Sequence, residues 1–416
     1  MINIGLIGCG RILAAHLRGY RLLREAGFKD FRIVALCARK EEDAWAYVQR
    51  GTVQRPAVST LPGDPLAVGD EYLSDFQDPS GVRVYTDYRE LIADPQVDAI
   101  NDYTPHGLHH LIAAVAFAHR KHLLSQKPLG VTVKAAQRMC DQAAAAGVTF
   151  GIFENARYRA DIQYARWALD RSGLGPAGRP QMALLGNVGT WWAPNLVVAQ
   201  TPWRHQKILG GGLAIDLGVH QFHMIRHVCG EVQDVQASAS VIEPQRYILD
   251  TTGTVLQTVE CDADDTFFAS FNANDGVTGT LFASFGGHGT KTVLGNGPVF
   301  YGSKGRVSGP HLHLDGHADA FSLRELFAAK ATPEQTAAVF PHGLEDPFAI
   351  TQHFWLQAIR DGTQPVLDGQ EGLRDLACAY AILESQTANR RVSIADVLSG
   401  ELAAYQAPIN RYFEIT

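Results

Sequence analysis

One glycine-rich turn constrains this chain more than any other feature. Gly5, Gly8 and Gly10 stand in the string GLIGCGRI. Before it comes a short apolar run (Ile2, Ile4, Leu6, Ile7), and after it Ile12, Leu13, Leu17 and Tyr20 recur at helical spacing. The run suits a strand buried on both faces. Glycines at a strand-to-helix turn let the backbone approach a pyrophosphate, and the helix N-terminus offers it free N–H groups. A glycine triplet alone is weak, because tight turns use glycine everywhere. Between a strand and a helix it is a strong dinucleotide signal, and Gly8, Gly10, Arg11 and Ile12 are its cofactor-contact candidates. Leu13 stands where the fingerprint has Gly or Ala, so helix and strand are expected to pack less closely there.

The second strand is expected at Phe31–Cys37, FRIVALC. NAD sites usually place Asp or Glu at the end of this strand to hold the ribose 2′-OH. Here Ala38, Arg39 and Lys40 follow Cys37. Two cations attract a 2′-phosphate and no carboxylate repels it, so NADP is favoured and NAD stays possible. The alternative is that Arg39 and Lys40 are solvated loop charges and Glu41 or Glu42 makes the ribose contact.

Residues 51–81 break the pattern, with prolines at 56, 62, 65 and 79 and glycines at 51, 63, 69 and 81. They exclude regular helix or central strand. So long a loop is often functional, overhanging a cofactor or a subunit contact, but a plain surface insertion fits equally. Alternation then resumes, with strands at 82–85, 97–103, 122–125 and 148–153 and helices at 87–92, 106–119 and 132–146. That order implies a doubly wound parallel sheet, whose ligands bind beyond the carboxyl ends of its strands. Thr104, Pro105 and Lys127 join the glycines on that rim. From about 154 the pattern changes. A helix near 160–172, a strand at 181–192 and a helix at 213–228 are followed by strands at 234–243, 266–273 and 277–286. The last two flank Asn274-Asp275-Gly276, a hairpin signal. Consecutive strands imply an antiparallel sheet, and helical patterns return at 345–360 and 371–389. An α/β chain of two domains is expected, 1–152 and 153–416.

Composition narrows the class. Of 416 residues, 46% are apolar and 19% charged, which is globular. The net charge of −7 argues against a nucleic-acid surface. No apolar run reaches the roughly 18 residues of a membrane span, and the opening Met-Ile-Asn-Ile-Gly has no secretory signal pattern. The six cysteines are scattered with no CxxC pair, as expected of reduced thiols in a cytoplasmic protein.

In the second half, the string from Gly210 to His220 places Asp216 and His220 four residues apart. On a helix they lie one turn apart on one face. Such a pair serves acid–base chemistry, with His as the group that titrates near neutral pH; a structural contact is the plainer alternative. Arg157, Tyr158, Trp203 and Arg204 are substrate candidates, because tryptophan faces pack on sugar C–H faces and arginines hold hydroxyls or anions. Trp191 and Trp192 point to opposite faces of a strand, so at most one lines a pocket. HLHLDGH (His311, His313, His317) reads as a polar loop rather than a metal site, and no metal is expected.

Together these strings resemble the glucose–fructose oxidoreductase/inositol dehydrogenase/rhizopine-catabolism (Gfo/Idh/MocA) family. The matches are GLIGCGRI with His16, Thr104-Pro105 followed by His109, Gln126-Lys127-Pro128, Glu154–Tyr158, Asp216 with His220, Tyr301–Gly305 and Gly372–Asp375. The resemblance implies a Rossmann domain, then a C-terminal α+β domain with a large, mainly antiparallel sheet that commonly serves oligomer contacts (a dimer or tetramer). It implies an NAD(P)-dependent oxidoreductase that interconverts an alcohol and a ketone on a sugar, cyclitol or related ring. Lys127 would then orient substrate and cofactor ribose, His220 would shuttle the proton and Asp216 would position substrate. His109 and Gln126 would join the cofactor contacts. The family's Glu-Lys-Pro is Gln126-Lys127-Pro128 here, which removes an anionic neighbour from Lys127. Two further readings follow from relatives on this fold: a redox-assisted lyase or glycosidase that retains its NAD, and a cofactor-sensing regulatory protein.

Overall fold

The computed structural model describes residues 1–51, 53, 69–189, 192–289, 292–293 and 297–416. The prolines at 56, 62 and 65 and Trp191 lie outside the described residues. In chain order the first stretch runs β1 (Ile2–Ile7), α1 (Leu13–Glu25), β2 (Phe31–Cys37), α2 (Glu41–Trp45), β3 (Arg83–Tyr85), α3 (Tyr88–Ala93), β4 (Ala99–Asp102), α4 (His106–Ala118), β5 (His122–Gln126), α5 (Val133–Ala146) and β6 (Phe150–Phe153). The second runs α6 (Ala160–Ala168), β7 (Pro180–Val188), α7 (Val219–Cys229), β8 (Val232–Ser240), β9 (Gln245–Leu249), β10 (Val255–Glu260), β11 (Thr266–Ala273), β12 (Thr278–Ser284), β13 (Thr292–Val293), β14 (Val299–Gly302), β15 (Gly305–Ser308), β16 (His311–Leu314) and β17 (Phe321–Ser322). Then come α8 (Leu323–Lys330), α9 (Pro333–Val339), α10 (Pro347–Asp361), α11 (Gly369–Ala388) and β18 (Val392–Ser393).

Two compact units result, one of 1–131, 135–158 and 340–373, the other of the remaining residues. In the first, six parallel strands lie in the order β3-β2-β1-β4-β5-β6. Ile4, Leu6, Ile33 and Ile100 are wholly buried, as strands covered on both faces require. The order reverses between β1 and β4, which opens a crevice at the carboxyl ends of Ile7 and Asp102. The helix α10 belongs to this unit and packs on α1. Gly19 permits the approach, since a Cβ there would meet Gln352 and lie 3.1 Å from the Ala349 nitrogen. Trp355 is buried and donates its indole N–H to the Leu123 carbonyl at 3.2 Å. The insertion keeps no regular strand or α-helix in its described part. Glu71, after the undescribed residues, accepts from Arg21 at 3.0 Å.

The second unit carries a sheet in the order β17-β16-β15-β14-β7-β12-β11-β8-β18, with β13 beside β7. All pairs are antiparallel except β7 with β12. The hairpin turn between β11 and β12 places Asp275 at φ 60 and Gly276 at φ 77. Phe267, Phe271, Leu281 and Leu185 fill the buried face. On the other face Phe268 stacks on Phe282 at 5.7 Å and is 55% exposed. One expectation is corrected here. His311–Leu314 is a strand, not a polar loop, because its backbone pairs with Gly305–Ser308 in register. His311–Leu314 alternates His and Leu, but four residues are too short a run to declare a strand in sequence.

Candidate active site

The crevice begins at the glycine turn. Gly8 has φ +100, and a Cβ there would lie 2.9 Å from the Tyr103 carbonyl carbon, so only glycine fits. Gly10 faces open space, with nothing within 4 Å of the position a Cβ would take. Ile12, at the start of α1, supplies no side-chain cap. Leu13 and Ala15 spend their N–H groups on the Gly10 and Ile12 carbonyls at 3.1 Å, so the open Gly10 turn and the positive end of the helix dipole are what this end offers an anion. Arg11 is exposed beside them. This cradle fits a dinucleotide pyrophosphate. Tyr47 steadies it by donating its hydroxyl to the Gly10 carbonyl at 2.9 Å. At the end of β2, Arg39 and Lys40 are exposed, and Lys40 sits 3.5 Å from Glu42.

The rim beyond β4 and β5 is built from side chain-to-backbone bonds. Asp102 accepts from the Thr104 nitrogen at 2.9 Å and its hydroxyl at 2.7 Å, which fixes the Thr104–Pro105 turn. Gln126 accepts the Lys127 N–H on Oε1 at 2.8 Å and presents Nε2 to His16 Nε2 at 3.0 Å. The amide orientation follows from the first bond, so His16 Nε2 carries the lone pair. Burial holds the His16 pKa well below its ordinary value, and the ring stacks on Tyr103 at 3.9 Å. His109 is buried and turns both ring nitrogens toward backbone carbonyls. Lys127 is half-buried. Arg157 and Tyr158 are buried, with Arg157 3.1 Å from Glu371 and Tyr158 stacked on Phe354.

The second unit gathers the other candidates. Residues Ala214–Gly218 form a π-helical turn that runs straight into α7. Such turns are rare and recur at functional sites. Asp216 and His220 are half-exposed, while Ala214, Ile215, Gly218 and Val219 are buried. The two thus share the outward side. Arg204 binds Asp216 at 2.5 Å, and its guanidinium lies 4.6 Å from the Trp203 ring centre. Arg204 therefore links the Asp216 carboxylate to the Trp203 indole, one face of which its guanidinium covers. Behind it, His205 accepts the Val198 N–H; burial, then Arg246 and Arg204, pull its pKa down to about 4.

A family model described as an oxidoreductase family with an NAD-binding Rossmann fold matches residues 2–153. A second, the GFO/IDH/MocA C-terminal domain, matches 175–308. The chain belongs to the Gfo/Idh/MocA family. Among curated proteins it is similar to levoglucosan dehydrogenase of Pseudarthrobacter phenanthrenivorans, 23% identical over 75% of this chain and 84% of that protein. It is also similar to myo-inositol 2-dehydrogenase of Thermotoga maritima, 22% identical over 95% of this chain and all of that one. A solved levoglucosan dehydrogenase in complex with NADH and L-sorbose shares the fold, with TM-score 0.71 and 21% identity over 94% of this chain and 98% of that one.

In this Gfo/Idh/MocA oxidoreductase the π turn is anchored from below by Asp264. Its Oδ2 accepts the Ala214 N–H at 2.8 Å and its backbone carbonyl accepts the Leu213 N–H at 2.8 Å. Gly212, at φ +123, is required there because a Cβ would strike Asp264 Oδ1. Burial, opposed by the Ala214 N–H, pushes the Asp264 carboxyl up from 3.8 to about 7. The folded state therefore keeps this proton between pH 4 and 7 while the unfolded chain releases it, so stability falls as pH rises across that window. Comparing Asp264→Asn with wild type by urea unfolding should show the wild type losing about 1.4 kcal/mol per pH unit relative to the variant. A pH-independent difference would rule this anchor's titration out. Asp264 lies 48 residues from Asp216, and no local pattern joins them; the same holds for Tyr47, which follows the short α2 in a stretch without periodicity. Among the described residues no group of three or more His, Cys, Asp or Glu could hold a metal ion.

Proposed function

We propose that this oxidoreductase interconverts an alcohol and a ketone on a sugar, cyclitol or related ring, with NADP preferred over NAD. The observation that carries the substrate reading is the Trp203–Arg204–Asp216 surface beside His220. The indole face that Arg204 leaves open accepts the apolar side of a ring, while the cation donates hydrogen bonds to its hydroxyls and the carboxylate accepts from them. Relatives named for levoglucosan, myo-inositol and 1,5-anhydro-D-fructose support the same substrate class. When bound, the nicotinamide supplies the hydride donor or acceptor. His220 takes or returns the proton of the reacting hydroxyl, Asp216 holds a neighbouring hydroxyl and is itself oriented by Arg204, and Lys127 holds substrate and the cofactor ribose, its charge favouring an alkoxide-like state. Gly8, Gly10, Arg11 and Ile12 cradle the pyrophosphate, and Thr104, Pro105, His109 and Gln126 shape the rim. Arg157 and Tyr158 support the site through Glu371 and Phe354.

The NADP preference rests on Arg39 and Lys40, exposed where NAD sites carry an acid. Mass spectrometry of the purified protein, native and then denatured, shows whether a cofactor is retained. Titration with NADPH and NADH follows. Tighter NADPH binding is expected, weakened roughly tenfold or more in an Arg39→Ala, Lys40→Ala double variant while NADH binding stays unchanged. Equal affinity for the two would remove the NADP reading. Tightly retained NAD, with glycoside turnover and no net cofactor change, would favour the redox-assisted lyase instead. The uncovered sheet face bearing Phe268 and Phe282 suits a homo-oligomer contact with a second copy. Six free cysteines suit a cytoplasmic setting.

A further inference from the structure

His109 sits in the first turns of α4 with its side chain wholly buried. Its Nδ1 lies 2.9 Å from the Pro128 carbonyl and its Nε2 lies 2.9 Å from the Thr104 carbonyl. A carbonyl oxygen only accepts. A neutral imidazole has one N–H and one lone pair, so whichever tautomer it takes, one of these contacts sets lone pair against lone pair. No carboxylate bonds either nitrogen, and both contacts are direct, at hydrogen-bond distance. The form that satisfies both carbonyls is the doubly protonated ring.

The two carbonyls belong to different turns. Thr104 follows β4 and Pro128 follows β5, directly after Lys127. We propose that His109 is a positioning residue that carries a proton on both ring nitrogens and, as an imidazolium, straps the Thr104–Pro105 turn to the Lys127–Pro128 turn. This rests on the assignment of Lys127 to the reaction. Three cationic or titratable groups and one carboxylate surround the ring. His106 lies on the same helix with its ring centre 6.1 Å away. His110 is held down to about 4 by burial, then by His109, then by Arg138 of α5. Lys127 adjoins Pro128. Asp102 is buried, with Oδ1 spent on Thr104 and Oδ2 without a hydrogen-bond partner among the described residues. The charge is met at both nitrogens by a carbonyl dipole, and the Asp102 carboxylate is bonded to the same Thr104 turn. Losing the proton leaves one strap unmade, so the two turns are free to separate.

The test is imidazole nitrogen NMR on the full chain labelled with 15N histidine, with His109 assigned by its disappearance in His109→Gln. Two protonated-type nitrogens at pH 7 are expected. A single pyridine-type nitrogen overturns the proposal, whatever the activity. Neutron diffraction of wild-type crystals reads the same two protons if the variant does not fold. In kinetics, His109→Gln is expected to lower kcat by about tenfold to a hundredfold, because small misplacements of an orienting group cost that much, with a smaller change in the dissociation constant of NADPH. An unchanged kcat beside two protonated nitrogens would refute the positioning role. If Lys127→Ala keeps full activity, the assignment of Lys127 fails, while the nitrogen signature still decides the protonation of His109.

Discussion

Replacing His220 with alanine is expected to lower kcat by about a hundredfold to ten-thousandfold, the usual worth of a positioned acid–base group. His220 is half-exposed on the outward side of α7, so its loss leaves no buried cavity. The thermal midpoint should stay within a few degrees of wild type, and the cofactor should bind as before. Asp216→Asn should fall less steeply, because an amide keeps the hydrogen bond to Arg204 but loses the ion pair at 2.5 Å. The measurement is steady-state turnover of the best sugar or cyclitol, followed by nicotinamide absorbance. If His220→Ala keeps more than about a tenth of the wild-type kcat, His220 is not the proton shuttle. If wild type turns over none of these compounds, the substrate class itself is wrong.

Replacing Asp375 with alanine is expected to destabilise the protein by about 3–5 kcal/mol, the range for breaking a buried ion pair by removing one partner. Asp375 Oδ2 lies 2.6 Å from His223 Nδ1, and Oδ1 lies 2.5 Å from Arg226. His223 and Arg226 are buried on α7, the helix that carries His220. Burial alone would push the Asp375 carboxyl up; His223 and Arg226 outweigh it and hold it below its ordinary value. Its stabilisation is thus complete above the unfolded carboxyl value and is lost as pH falls through the lower folded one. Arg226 keeps its bond to Glu231 at 2.8 Å, which places the loss toward the lower end of the range. Urea unfolding at pH 7 measures it, and a loss under 1 kcal/mol would show that the pair is not holding the helix. Because α7 carries His220, a drop in activity should accompany the loss of stability in Asp375→Ala, whereas His220→Ala loses activity alone.

These two variants separate what is written locally from what is not. The glycine turn, the alternation of strands and helices through residue 153 and the i, i+4 spacing of Asp216 and His220 are all legible in the sequence. Each depends on neighbours within a few residues: buried parallel strands must be continuously apolar, and a phosphate-binding turn needs glycine where a Cβ would strike Tyr103. The hairpin at Asn274–Gly276 is legible for the same reason. The partners that set the chemistry are not. Gln126 meets His16 across 110 residues, His223 meets Asp375 across 152 and Arg157 meets Glu371 across 214. No periodicity links such pairs; the sheet order and helix packing bring them together. The π turn at Ala214–Gly218 and the strands β13–β17, of two to four residues each, were likewise decided by tertiary pairing, because elements so short have no period of their own. Sequence alone determined the dinucleotide fold and named the residue types of the candidate site. Tertiary structure decided which of those side chains are neutral, which are paired and which face outward, because burial and long-range contacts, not local pattern, set a group's charge and direction.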